Sequence, residues 1–360
     1  MKSYNFSAGP AILAPEVKEK LSNLIKKFDK NEFSIAEISH RSSEFETFLN
    51  DTTQLFRKIA HIGDEFEILY LQGGASLQFH MIPMNFLSHH KNAVLINTGV
   101  WSQKALEGLQ YFGTADVIDN KGNFTQLPNL DSLTTFTQAD YGYFTDNNTI
   151  YGTEYRFVPN FAPNLPIICD MSSSILSKEM DYSKFDLIFA GAQKNLGIAG
   201  VTVVIIKKTL LEKVDKTVPA ILNFATQSKN SSLYNTPPVF AIASVRATLE
   251  WIEAQGGIKK LEEHNIKKAE LLYDFLDSSI LYYNDNEKSF RSRMNVVFKL
   301  RDDSLTKKLI KYAEQNGMIG IAGHRNVGGL RASLYNMMPL EGVVTLIDIL
   351  KQFEKENYGG

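Results

Sequence analysis

Seven short runs of apolar and β-branched residues punctuate the first two thirds of the chain: FEILYL, AVLI, ADVI, YGYF, IIC, DLIFA and VTVVII. Most lack the polar alternation of a strand with one wet face, so they read as strands buried on both sides. Amphipathic helices accompany them. After Pro15, EVKEKLSNLIKKF sets Val17, Leu21, Leu24, Ile25 and Phe28 on one helical face, and SEFETFLNDTTQLFRKIA does the same with Phe45, Phe48, Leu49, Leu55, Phe56 and Ile59. Such strands and helices are buried together in an α/β fold, a mainly parallel sheet with helices on either side.

From PPVFAIASVRATLEWIEAQGG onward the texture changes. A long helix closes at Gly256 and Gly257, a second runs through IKKLEEHNIKKAELLYDFLD, and a joint between domains is expected near the glycines. The strand in MNVVFKL, a helix in DSLTKKLIKYAEQNG, the strand in GGLRASLY and a last helix from Leu340 then make a compact α+β unit. A chain of 360 residues, 44% of them hydrophobic, has material for two cores. The closing EKENYGG is expected to fray.

Lysine and arginine number 38 against 40 acidic residues, which leaves no field strong enough to make nucleic acid or an anionic membrane the main partner. The single cysteine, Cys169, excludes an intrachain disulfide and sits in the apolar run LPIICDM, where it reads as an inert core residue rather than a nucleophile. The first residues, MKSYNFSAGPAIL, hold too short an apolar stretch for a signal peptide, and no later run approaches the ~20 residues of a membrane span. A cytoplasmic location is therefore expected. The seven histidines are scattered, and the pair His89 and His90 lacks the spacing and carboxylates of a ligand set, so no metal is expected.

Asp170 directly follows one buried run and Lys194 lies beyond the next. In an open α/β sheet the carboxyl ends of the strands face the ligand crevice, so both side chains project toward one opening. An amine and an anion delivered there suit pyridoxal 5′-phosphate (PLP), which needs a Schiff-base lysine and a partner for its ring nitrogen. A structural ion pair at strand ends is the alternative. LQGGASLQFH leads from a strand into a helix, and its glycines let backbone N–H groups approach an anion. Trp101 follows the next strand, where its indole can cover an aromatic cofactor or simply pack in the core. Thr149, after a further strand, offers a hydroxyl.

Together these pieces resemble the fold-type I PLP enzymes and, among them, the phosphoserine aminotransferases of the class V group. The likeness runs through FSAGPAILAPEV, SHRSSEF, GGAS, NTGVWS, NNTIYGTE, DMSSSILS, GAQKNLGIAGVTVVII, LYNTPPVFAI, RSRMNVVFKL and GHRNVGGLRASLYNMMPLEGV. It implies a large domain over residues 16–258 with a seven-stranded sheet, and a small domain from residues 1–15 and 259–360. It also implies that Lys194 carries the Schiff base and shuttles the substrate proton, that Asp170 pairs with the ring nitrogen, that Trp101 stacks on the ring and that Thr149 bonds its hydroxyl. Ala75, Ser76 and Gln193 would hold the cofactor phosphate, and Asn235 and Thr236 would reach it from the second subunit of a homodimer. Ser7 and Gly9 would line the mouth of the site.

For the substrate, the resemblance makes Arg331 the α-carboxylate anchor. It gives Arg41, beside His40 and across the dimer interface, the side-chain phosphate or distal carboxylate, with His324 and Arg325 adding phosphate contacts. Some members carry an arginine where this chain has Ser76, and that role is not transferred. The implied reaction moves an amino group between L-glutamate and 3-phosphohydroxypyruvate, in serine biosynthesis, and the 4-phosphohydroxythreonine step of pyridoxine biosynthesis would use the same groups. Another class V enzyme, such as an alanine–glyoxylate transaminase or a cysteine desulfurase, is one alternative, although Cys169 is badly placed for the latter. A non-catalytic PLP-fold protein is a second, against which Lys194 and Asp170 both stand.

Overall fold

The computed structural model describes residues 2–28, 30, 32–325 and 327–357. Asn326, in the glycine-flanked GHRNVGG loop, and the last three residues lie outside them. All seven apolar runs join one sheet, as β1 Phe66–Leu71, β2 Asn92–Ile96, β3 Thr114–Ile118, β4 Tyr141–Thr145, β5 Ile167–Asp170, β6 Leu187–Gly191 and β7 Thr202–Lys207. Their order across the sheet is β1-β7-β6-β5-β4-β2-β3. From β3 to β6 neighbours pair in parallel, while β7 is antiparallel to both β6 and β1. A parallel return needs a crossover of a dozen or more residues, and the turn between Gly191 and Thr202 is too short for one.

The sheet is covered on both faces. Helices Gly74–Phe86 and Val100–Leu109 pack one side over Leu69, Leu95, Phe189 and Val204, and helices Ser43–Ala60 and Val239–Ala254 pack the other over Ile68, Val94, Ile188 and Ile205. This is why the central runs show no polar alternation. The edge strand β3 departs from that pattern, with Thr114 and Val117 exposed.

A separate core forms around helices Gly257–Ser278 and Leu340–Asn357 and the three-stranded antiparallel sheet of Tyr282–Tyr283, Asn295–Leu300 and Leu330–Ser333. The N-terminal segment belongs to this core: Tyr4 and Asn5 pair in parallel with Met318 and Ile319, and Phe6 is fully buried there. Two expectations shift. The first helix is Pro15–Lys26, with Val17 and Leu21 buried but Ile25 43% exposed and Phe28 buried beyond the helix end. The last helix runs to Asn357, so the expected fraying does not include Glu354 to Asn357, and Tyr358 onward is outside the described residues. Among the described residues no helix is long and apolar enough to cross a membrane.

Candidate active site

The loops at the carboxyl ends of β1, β2, β4, β5 and β6 converge on a cavity of about 260 Å³. Gly73 and Gly74 adopt left-handed φ values of 90° and 66°, a turn that glycine makes without steric cost, and bring the start of helix Gly74–Phe86 to the wall. The first N–H groups of a helix have no partner within it, so Gly74, Ala75 and Ser76 present donors and the positive end of the helix dipole to the cavity. Trp101, in the first turn of helix Val100–Leu109, forms another wall. The turn before it needs glycine: a Cβ on Gly99 would stand 2.6 Å from the Asn148 amide and the Tyr151 ring.

Trp101 Nε1 donates to Thr149 Oγ1 at 2.9 Å, which leaves the threonine its own hydrogen to donate. Arg331, in strand Leu330–Ser333, donates from Nη1 to the Thr149 carbonyl at 3.0 Å. Asp170 ends β5, is 5% exposed and accepts the Ser172 N–H at 2.9 Å. Lys194 Nζ lies 5.6 Å from the centre of the Trp101 ring. Gln193 and His324 complete this part of the wall.

Burial lowers the Lys194 pKa to about 8; Asp170 opposes the shift and Arg331 adds to it. Burial also raises Asp170, against the pull of Lys194 and the Ser172 hydrogen bonds. The pair is thus an amine that is easily made neutral and a carboxylate short of positive charge. The buried Nε of Arg331 and Oγ1 of Thr145 have no hydrogen-bond partner. A buried donor left unpaired at a cavity wall is a place for an acceptor on a ligand. An amine, a carboxylate, a flat indole and a cradle of free N–H groups around one space fit PLP, and the arginine fits a substrate carboxylate.

The structure therefore brings together Ala75, Ser76, Trp101, Thr149, Asp170, Gln193, Lys194, His324 and Arg331, and Gly9 of the expected mouth. Ser7 is not in the wall, where Ala8 stands instead. Arg325 is exposed and outside the wall. His40 and Arg41 line a different depression of about 570 Å³ with Arg57 and Tyr70. Asn235 and Thr236 sit beside Gln72, whose Nε2 donates to the Thr236 carbonyl at 2.9 Å and whose Oε1 accepts from Asn235 at 3.2 Å. Sequence reasoning assigned no role to Asn147, Ser172 or Ser173, which also face the cavity. They lie inside NNTIYGTE and DMSSSILS, but polar residues near a strand end carry no mark of their own. Among the described residues no cluster could hold a metal ion.

The comparisons with known proteins agree with this geometry. The aminotransferase class-V family model matches residues 3–346. The phosphoserine aminotransferase of Bacillus cereus is 46% identical over 356 residues, covering 98% of this chain and 99% of that one. A solved phosphoserine aminotransferase from Bacillus circulans subsp. alkalophilus superposes with a TM-score of 0.96 at 40% identity, covering 99% of each chain. The PLP-bound phosphoserine aminotransferase from Trichomonas vaginalis gives 0.93 at 35% identity, covering 97% of this chain and 100% of that one. Fold and site define a class-V aminotransferase. Within that class, the chain belongs to the phosphoserine aminotransferase family.

Proposed function

We propose that this protein uses PLP to move an amino group reversibly between L-glutamate and 3-phosphohydroxypyruvate, giving O-phospho-L-serine and 2-oxoglutarate in serine biosynthesis. The observation that carries the reading is the meeting of Lys194, Asp170 and the unpaired Nε of Arg331 in one cavity of a chain of this family. PLP, when bound, supplies an electron sink for breaking a Cα–H bond. Lys194 Nζ would hold it and, once displaced by the substrate amine, would be the neutral base that takes the proton from the substrate Cα; the lowered pKa supports that role. Asp170 supplies the negative charge opposite the ring nitrogen, and a cation there answers its raised pKa. Trp101 would cover one ring face, Thr149 would donate to the ring oxygen, and Ala75, Ser76 and Gln193 would hold the phosphate.

Arg331 takes the α-carboxylate. Arg41 and His40 lie outside the cavity of their own chain, as do Asn235 and Thr236, and we assign these four to the site of a second copy in a homodimer. His324 and Arg325 add charge toward the substrate phosphate. We further assign residues 16–258 to the large domain and residues 1–15 and 259–360 to the small one, following the separate cores. We place the enzyme in the cytoplasm, where its one cysteine, buried Cys169, suits a reducing compartment.

Steady-state kinetics of two variants test the assignment. Arg331→Ala should weaken every amino-acid substrate alike, and Arg41→Ala only those with a phosphate or a distal carboxylate. Equal losses for a monocarboxylic amino acid in both variants would contradict these roles. With glutamate as donor, phosphohydroxypyruvate should be preferred to glyoxylate; the reverse preference would favour the alanine–glyoxylate reading.

A further inference from the structure

Behind the cavity wall two buried carboxamides face one another. Asn147, which lines the cavity, donates from Nδ2 to Ser173 Oγ and to Asn295 Oδ1, each at 2.8 Å. Asn295 in turn donates to Ser333 Oγ at 3.0 Å and to the Tyr335 hydroxyl at 3.2 Å. Tyr335 donates to the carbonyl of Ala8 at 2.7 Å. Asn147, Asn295, Ser333 and Tyr335 are all 2% exposed or less, so water cannot substitute for these partners.

The direction of this chain of bonds is forced. A carbonyl only accepts, so Tyr335 gives its one hydrogen to Ala8 and has only lone pairs left for Asn295. Asn295 must turn its NH₂ toward the tyrosine and its oxygen toward Asn147, which then presents an NH₂ of its own. Burial pushes the Tyr335 pKa up to about 12, which keeps that hydrogen in place.

The far end of the chain lies on the reacting lysine. Ala8 and Gly9 form part of the cavity wall, and a methyl placed on Gly9 would touch the Cγ atoms of Gln193 and Lys194 at 3.7 Å. The Ala11 N–H reaches the Gln193 carbonyl at 2.9 Å, and the Phe6 carbonyl is held by the Ser333 N–H at 3.1 Å. Residues 6–11 are thus a strap that leaves the small sheet, crosses the stem of Lys194 and ends on the main sheet's β6–β7 turn. Asn295 stands where the two units meet.

We propose that Asn295 and Tyr335 are positioning residues for amino transfer, whose directed chain of hydrogen bonds from Asn147 to Ala8 clamps the N-terminal strap over Lys194 and keeps water from its stem. This rests on the reading of Lys194 as the reacting amine. Neither residue touches the reacting atoms; they act through the strap.

Hydrogen–deuterium exchange of the PLP-loaded enzyme reads the strap directly. Tyr335→Phe keeps the ring but has nothing to donate to Ala8, and loss of one hydrogen bond should speed exchange over residues 6–11 about fivefold. Exchange over Asn295–Leu300 should stay at its wild-type rate, and kcat should fall about fivefold with the glutamate KM unchanged. Asn295→Asp is nearly isosteric but cannot donate, so it draws the Tyr335 hydrogen away from Ala8 and should release the strap at least as far. Wild-type exchange over residues 6–11 in both variants overturns the proposal. So does a rise spread equally through the small sheet, which marks general loss of stability, or a freed strap with kcat unchanged. If Lys194→Ala itself retained turnover, the reading of the amine would fall while the exchange result on the strap stood.

Discussion

Two lysines lie near the carboxyl edge of the main sheet, Lys178 buried and Lys194 half-buried in the cavity wall, and their surroundings set them in opposite states. Lys178 meets Asp146 at 3.0 Å, Glu154 at 3.1 Å and the Tyr155 carbonyl at 2.8 Å. Burial alone would lower its pKa, but the two carboxylates outweigh that and raise it. Lys194 has one carboxylate, Asp170, and the like charge of Arg331, and burial wins, to about 8. Two carboxylates outweigh burial at Lys178, and one carboxylate set against an arginine does not at Lys194, so the difference comes from the number of opposing charges. Lys178 is a fixed cation joining the loops after β4 and β5, whereas Lys194 can give up its proton. A third lysine shows that a low pKa is not enough. Lys268 is 2% exposed, donates to the carbonyls of Leu334 and Tyr335 and is lowered to about 7 by burial, yet it is not in the wall of the cavity that holds Lys194. Chemistry needs the neutral amine and the space beside it.

The largest expected effect is at Lys194. Lys194→Ala should abolish transamination and the visible absorbance of the PLP-loaded protein, read by spectrophotometry, while Lys268→Met should keep both. Turnover in the first would erase the contrast. Next comes Lys178→Met, which strands Asp146 without its cation and leaves Glu154 with Arg156 alone; breaking a buried pair in this way costs about 3–5 kcal/mol. Urea unfolding measures it, and an unchanged midpoint would mean that the cluster holds nothing together.

The pH dependence of the cofactor-free protein sharpens the comparison. Lys194 has a folded pKa of about 8 against an ordinary 10.5, so folding expels a proton from it; its burden on stability is full below pH 8 and gone above 10.5. Lys194→Met should therefore stabilise most below pH 8, with the gain shrinking as pH rises to 10.5. Lys178 is raised above 10.5, so its contribution is full below that value and is lost only as pH climbs through the raised one. The deficit of Lys178→Met should accordingly hold steady across the window in which the Lys194→Met gain fades. Parallel curves for the two variants would refute the opposed charge states. The smallest effect is Trp101→Phe, which keeps a flat ring but loses the bond to Thr149, worth ~1 kcal/mol or about fivefold in PLP retention measured by dialysis.

Much of the site was legible because of where strands end. Asp170, Lys194, Trp101 and Thr149 each follow an apolar run, and in a sheet of this kind those ends point to one place. Asn147 and Ser173 follow the same runs but were missed, since an asparagine beside a strand is as often a turn former as a wall. The Asn295–Tyr335 connection could not be read at all: its members are spread from Ala8 to Tyr335, and no spacing relates them. The composition of VTVVII says nothing of the antiparallel setting of β7, being the same whichever way the strand runs; the short connection from Gly191 to Thr202 is the one signal for it.

Local patterning alone determined which segments are strands and helices, and which charged residues stand at strand ends. Periodicity and strand polarity are properties of neighbouring residues, so the chain carries them in its order. Tertiary structure decided the rest: Lys178 became a cation and Lys194 a titrating amine, and a strap from the N-terminus came to lie on the second. A pKa and a clamp are both set by groups brought from far along the chain, and which groups those are is known only when the chain has folded.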